Sequence, residues 1–247
     1  MKLLLIRHGD PDYENDSLTE KGCREAQLLS ERIAPMDIKA YYVSPLGRAQ
    51  KTASYTLEKA GRTAETLQWA REFDTFIRAD GIGPVIKDGR RIPWDMLPEY
   101  WTKEPLYYDK DKWFDTPLMK EAGMENGVRE VWTGLDALLE RHGYKREDNY
   151  YRAVCPNNDT IAIFCHYGVT CVMLSHLIGV SPMVLWHGFV TAPTSVTTVM
   201  TEERRKSIAS FRINSMGDIS HLYKYGEQPA FSGRFCEMFD NTGERHD

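Results

Sequence analysis

Four consecutive apolar residues, Leu3 to Ile6, run without a spacer into Arg7-His8-Gly9, and polar, turn-like sequence follows through Asp10, Pro11, Asp12, Asn15 and Asp16. An apolar run this short, bounded in this way, reads as a buried strand. A helix is expected next: Ser17 with Glu20 three residues on fits a capping box, and Thr19 is an equally good N-cap. It runs to about Ala34, where Pro35 stops it. Ala40 to Val43 is β-prone, and Pro45 suits the first turn of a second helix reaching about Ala60. Strand, helix, strand, helix constrains the chain to an α/β fold built on a parallel sheet. Open sheets of that kind bind ligands beyond the carboxyl ends of their strands, which is where Arg7 and His8 fall.

At 247 residues, with 42% apolar and 27% charged residues, the expectation is one domain, 1–247, carrying a sizeable insertion. No stretch approaches the roughly 20 apolar residues of a membrane span, and the apolar run after Lys2 is too short for the centre of a signal peptide. A soluble cytoplasmic protein is expected, with no membrane partner. The five cysteines (Cys23, Cys155, Cys165, Cys171, Cys236) are scattered and lack Cys-x-x-Cys spacing, so they read as reduced thiols and not as disulfides or a zinc site. A net charge of −5 with no long basic cluster argues against nucleic acid as a partner. Oligomeric state is left open.

Ala64 to Trp69 reads as a third strand. From about 78 to 124 the chain changes character: Gly81, Gly83, Pro84, Gly89, Pro93, Pro98, Pro105 and Pro117 are interleaved with Trp94, Trp101, Tyr107, Tyr108, Trp113 and Phe114. This reads as an inserted lid, because so many aromatics need something to bury against. Glu125 to His142 resumes helical order, with Val128, Val131, Leu135 and Leu138 on one face and Gly143 as its stop. Thr160 to Cys165 reads as a buried strand ending in His166, with a helix over Val169 to Ile178. Strands are expected at Ser195 to Met200 and Ile208 to Ile213, and the tail beyond Asp218 has no clear period.

Arg7-His8, Arg48, Glu72 and His166 each fall just past the end of an expected strand. On a shared sheet edge, two arginines and two histidines suit a phosphoryl group, because guanidinium forks match phosphate oxygens. His8 is the candidate nucleophile, provided that one ring N–H is held by a backbone carbonyl, and Gly9 leaves room for that backbone approach. His166 would hydrogen-bond the phosphoryl oxygens. A partly desolvated acid such as Glu72 can protonate the leaving oxygen, with Asp74 as its rival. Tyr167 adjoins the pocket, and Arg90, Arg91 and Lys103 could reach a second anionic group on the substrate. His142-Gly143 reads as a helix end, His187 as packed, and His221 is undecided.

Arg7-His8-Gly9, the Ser44-x-x-x-Arg48-Ala49-x-x-Thr52-Ala53 segment, the Leu18-Thr19-x-x-Gly22 helix start and the strand-borne His166 together resemble the histidine phosphatase superfamily, also called phosphoglycerate mutase-like proteins. The likeness covers roughly 1–75 and 125–215. It implies a three-layer α/β/α sandwich with a mostly parallel sheet, and a phosphohistidine formed on His8. It also implies that Arg7, Arg48 and His166 hold the phosphoryl group, that Glu72 donates the proton, and that neither metal nor cofactor is used. The family usually has His-Gly at the second histidine, where this chain has His166-Tyr167-Gly168. The Leu-Asn-Glu-Arg pattern of active mutases is absent around Ala70 to Phe76, which favours hydrolysis. The expected activity is hydrolysis of a small-molecule phosphate monoester whose identity is set by the lid. The alternatives are mutase-type phosphoryl transfer and a non-catalytic phosphate-binding scaffold.

Overall fold

The computed structural model describes residues 1–78 and 89–246. Its central sheet has eight strands: β1 (Lys2–Arg7), β2 (Ala40–Val43), β3 (Ala64–Thr66), β4 (Tyr144–Glu147), β5 (Tyr150–Ala153), β6 (Thr160–Cys165), β7 (Val196–Arg205) and β8 (Ile208–Asp218). The order across the sheet is β3-β2-β6-β1-β7-β8-β5-β4. From β3 to β1 every pairing is parallel, and from β1 to β4 every pairing is antiparallel. The parallel half is the part with buried apolar runs, as expected for strands covered on both faces.

Helices α1 (Glu20–Ile33) and α2 (Gly47–Ala60) lie on one face, and α3 (Met124–Arg141), α4 (Tyr167–Ile178) and α5 (Pro182–Gly188) on the other. Alternation along the strands builds these layers. Leu4 and Ile6 of β1, with Ala162 and Phe164 of β6, pack among α1 and α2 side chains. Leu3 and Leu5, with Ile161 and Ile163, face the core that α3, α4 and α5 complete. The expected three-layer α/β/α architecture is therefore present. A last short helix, α6 (Ser220–Tyr223), buries His221, whose Nε2 lies 3.1 Å from the Thr194 hydroxyl.

Local chemistry explains where the elements begin. Thr19, not Ser17, caps α1: its hydroxyl accepts from Gly22 N–H at 3.0 Å, while Ser17 pairs with Asp12 in a two-residue strand. Helix α2 starts at Gly47, two residues after Pro45, and Leu46 supplies no side-chain cap. Asp16, reaching from another loop, accepts the Gly47 N–H at 2.6 Å instead. The β4–β5 hairpin was not expected, because Tyr144 to Ala153 is dominated by charged and polar residues. It forms the sheet's outer edge, where charged side chains are common, and Asp148 sits at its turn with φ +50°.

The inserted segment joins the second core. Trp113 is fully buried, with its ring centroid 5.6 Å from that of Trp186, and Tyr107, Phe114 and Met119 are buried with it. Ile77–Arg78 pairs antiparallel with Arg90–Arg91, while Gly81, Gly83 and Pro84 of the expected lid lie outside the described residues. Among the described residues no helix is long and apolar enough to cross a membrane.

Candidate active site

The parallel strands end level with one another. Arg7 is in register with Cys165, and Phe164 with Val43. Beyond the strand ends His8 N–H donates to the Cys165 carbonyl at 3.0 Å, and Ser44 N–H to that of Phe164 at 2.9 Å. Arg7, His8, Ser44 and His166 are thereby fixed on one sheet edge, within reach of the first turn of α2 and its Arg48.

His8 is 2% exposed, and its Nδ1 lies 2.7 Å from the Gly9 carbonyl oxygen. A carbonyl only accepts, so Nδ1 carries the proton and Nε2 keeps its lone pair. Burial, then the positive charge of Arg7, holds His8 well below the usual imidazole range; the Gly9 carbonyl opposes this and Arg48 adds to it. His166 is fully buried, with its ring centroid 5.0 Å from that of His8. Burial, then His8 and the two arginines, likewise pushes its imidazole down. Its Nε2 is 2.7 Å from the Ser44 hydroxyl, and that oxygen also accepts from Leu46 N–H at 3.2 Å.

Arg48 is held by Asp16, with Nη1 to Oδ1 at 2.6 Å, and lies over the Tyr13 ring. Arg7 donates from Nη1 to the Thr191 carbonyl and, at 3.3 Å, to that of Ser232. Three buried nitrogens of this cluster, Arg7 Nε, Arg48 Nε and His166 Nδ1, make no hydrogen bond within the protein. Buried polar nitrogens without partners are uncommon and call for an explanation. Glu72 Oε1 accepts from the N–H groups of Phe73 at 2.9 Å and Val169 at 3.1 Å. Burial pushes its carboxyl above the ordinary range, against those two bonds and the charges of Arg48 and Arg7. Asp74 is paired with Arg71 at the exposed rim.

The four expected substrate contacts divide. Tyr167 lines the cavity, but its hydroxyl is spent on carbonyls at the end of α5, donating to Trp186 O at 2.7 Å and lying 2.8 Å from Phe189 O. Gly9 faces α1: a Cβ there would lie 2.7 Å from the Gly22 carbonyl oxygen. Its N–H donates to the Thr52 hydroxyl at 2.9 Å, so Gly9 sets the loop that carries His8. Arg90 and Arg91 do not line the cavity. They lie in the small strand pair of the insertion, where Arg91 is completely buried and Arg90 is exposed. The closeness of Gly9 and Gly22 makes a prediction: a Cβ on Gly22 would lie 2.2 Å from the Asp10 carbonyl oxygen, so Gly22→Ala should destabilise the fold by about 1–3 kcal/mol in urea unfolding.

The cavity above this edge has a volume of about 1360 Å³. One wall was not legible in the sequence: Pro229 to Phe235, from the tail, closes over Arg7. Glu25 fastens it. This carboxylate is fully buried on the inner face of α1, accepting from Ala230 N–H at 2.8 Å and from Asp10 N–H at 3.1 Å. Its place among Gly22, Ala26 and Leu29 on one helical face was the available signal. Burial raises its pKa from 4.5 to about 7, against the pull of the two N–H groups. With the folded value above the unfolded one, the folded chain keeps the proton longer, so stability falls as pH rises from 4.5 through 7. Relative to Glu25→Gln, the wild type should lose on the order of 3 kcal/mol across that window in urea unfolding. A difference independent of pH would contradict this assignment.

Among the described residues no group of three or more His, Cys, Asp or Glu side chains could hold a metal ion. Residues 3–78 match the model of the histidine phosphatase superfamily, branch 1. The chain is similar to a 2,3-bisphosphoglycerate-dependent phosphoglycerate mutase of Thermoplasma acidophilum, 35% identical over 118 residues that span 38% of this chain and 59% of that protein. It is also similar to phosphoserine phosphatase 1 of Hydrogenobacter thermophilus, 24% identical over 86% of this chain and 92% of the relative. The fold is shared with a crystal structure of phosphoglycerate mutase from Bacillus anthracis, at a TM-score of 0.61 and 18% identity, covering 92% of this chain and 97% of that one.

Proposed function

We infer that the protein is a phosphomonoester hydrolase working through a phosphohistidine on His8. The observation that carries this reading is the set of buried nitrogens without partners, Arg7 Nε, Arg48 Nε and His166 Nδ1, gathered around a histidine whose Nδ1 proton is tied to Gly9. A phosphoryl group brings oxygens for the guanidinium nitrogens and, with its own proton, for the His166 nitrogen, and an electrophile for Nε2 of His8.

In the first step Nε2 of His8 bonds to phosphorus as the bond to the ester oxygen breaks. The leaving oxygen takes its proton from Glu72. Arg7, Arg48 and His166 bear the charge on the oxygens that do not react. In the second step Glu72, now a carboxylate, takes a proton from water as that water attacks phosphorus. The N–P bond breaks and inorganic phosphate leaves. The bond from Val169 N–H aims Glu72 from the start of α4, next to His166, whereas Asp74 is turned to Arg71; both features support Glu72 as the donor.

The rest of the reading is a single domain in which the insertion at 78–124 caps the site, acting on a small phosphate ester and not on nucleic acid or membrane. Five unpaired cysteines support a reducing, cytoplasmic setting. Similarity to the mutase supports a second reading, return of the phosphoryl group to an acceptor, which shares the first step. Turnover of p-nitrophenyl phosphate in EDTA tests the enzyme: steady release of phosphate is expected. Tight phosphate binding without turnover of any monoester would favour a scaffold, and isomerisation of a phosphoglycerate without net hydrolysis would favour the mutase.

A further inference from the structure

The body of the substrate must lie where the leaving oxygen meets Glu72, and the surface there is aromatic. A Cβ built on Gly168 would lie 2.4 Å from the Trp94 ring and 2.8 Å from Glu72 Oε1, so ring and acid converge on one glycine. Trp94 is fixed there by edge contact with Tyr167, centroids 6.2 Å apart, and by Trp186 at 5.5 Å. Further out Phe76, Phe189 and Val190 line the same cavity at 43, 46 and 57% exposure. Apolar groups left this open in a concave wall mark a surface for an apolar ligand.

The charges on the wall point the same way. Arg71 is paired with Asp74, Arg245 with Asp95 at 3.1 Å, and Lys21 with Glu227 at 2.9 Å. Arg234 is paired with Glu237. Each cation of the wall beyond Arg7 and Arg48 thus already has a carboxylate, among the described residues. A second anionic group on the substrate would have to displace one of these carboxylates. The cavity, at about 1360 Å³, also exceeds the roughly 300–1,000 Å³ typical of small-molecule sites, so a leaving group of a few atoms would leave most of it filled with water.

We propose that the substrate is a monophosphate ester of a bulky, uncharged, largely aromatic alcohol, seated on Trp94 of the insertion and roofed by the 229–235 tail. This rests on the phosphohydrolase reading above and adds to it the class of leaving group.

The test compares alkyl esters of similar leaving-group basicity, so that intrinsic reactivity does not decide the result. With the full-length protein, kcat/KM for 2-(2-naphthyl)ethyl phosphate is expected to exceed that for ethyl phosphate and O-phosphoserine by about 100-fold or more, the gain from burying a ring system. Trp94→Ala should reduce that ratio at least about tenfold, with circular dichroism checking that the variant is folded. Equal or greater kcat/KM for phosphoserine or 3-phosphoglycerate would overturn the proposal and leave the hydrolase reading standing. An unchanged ratio in folded Trp94→Ala would overturn the seat on Trp94. Failure to hydrolyse any monoester, p-nitrophenyl phosphate included, would overturn both.

Discussion

His8→Ala should retain less than about one part in 10⁴ of wild-type turnover on any phosphomonoester while still binding phosphate. The size of the loss follows from the geometry. His8 is the imidazole at this edge whose Nδ1 proton is fixed by a backbone carbonyl, at 2.7 Å, leaving Nε2 to attack. His166 cannot replace it, because its Nε2 is engaged with Ser44 at 2.7 Å and its ring is fully buried. Without a covalent step the arginines still bind a phosphate, which is why binding and turnover should separate. Isothermal titration with inorganic phosphate and a discontinuous phosphate assay measure the two quantities independently. Loss of both together would indicate that His8 is mainly a structural group.

The second large effect is expected from Glu72→Gln, with kcat on alkyl esters falling by about 10²–10⁴-fold. The loss in kcat/KM, which reports the first step alone, should shrink on p-nitrophenyl phosphate, whose leaving oxygen needs no proton, while the second step, in which Glu72 takes the proton from water, stays slow on either ester. The pH dependence fixes the sign. The first step needs protonated Glu72, and burial raises its pKa, so kcat/KM should fall as pH rises through the folded value. The variant should lack that alkaline limb. On the acid side His8 must be neutral, and since burial and Arg7 hold it well below 6.5, the acid limb should lie below that pH. An alkaline limb persisting unchanged in Glu72→Gln would assign it to another group, with Asp74 the next to test.

The parallel half of the fold was readable because its signals are local. Leu3 to Ile6 and Thr160 to Cys165 are short apolar runs, each followed by a helix, and each run delivers a histidine to the same edge. The four groups His8, Arg7, Arg48 and His166 could therefore be named together from their positions after strands. What escaped was set by distant contacts. Asp16 caps α2 across 31 residues, and Glu25 ties down Ala230 across 205. No window of sequence contains either bond. The tail wall around Phe231 and Phe235 has no period because distant contacts hold it, among them that carboxylate, the Ser232 carbonyl on Arg7 and the pairs Lys21–Glu227 and Arg245–Asp95. Arg90 and Arg91 looked available as polar residues in a glycine-rich stretch, but strand pairing with Ile77 and Arg78 takes them from the cavity. The hairpin from Tyr144 to Ala153 hid behind its charge, as edge strands do.

The central claim is a covalent phosphohistidine on one named nitrogen, and rapid-quench labelling tests it most directly. Wild-type protein mixed with a ³²P-labelled monoester and quenched in base within the first turnover should carry label that is stable to alkali and released by acid. Peptide mapping should place it on His8, and His8→Ala should carry none. Label on another residue, or full turnover by His8→Ala without any labelled protein, would contradict the account.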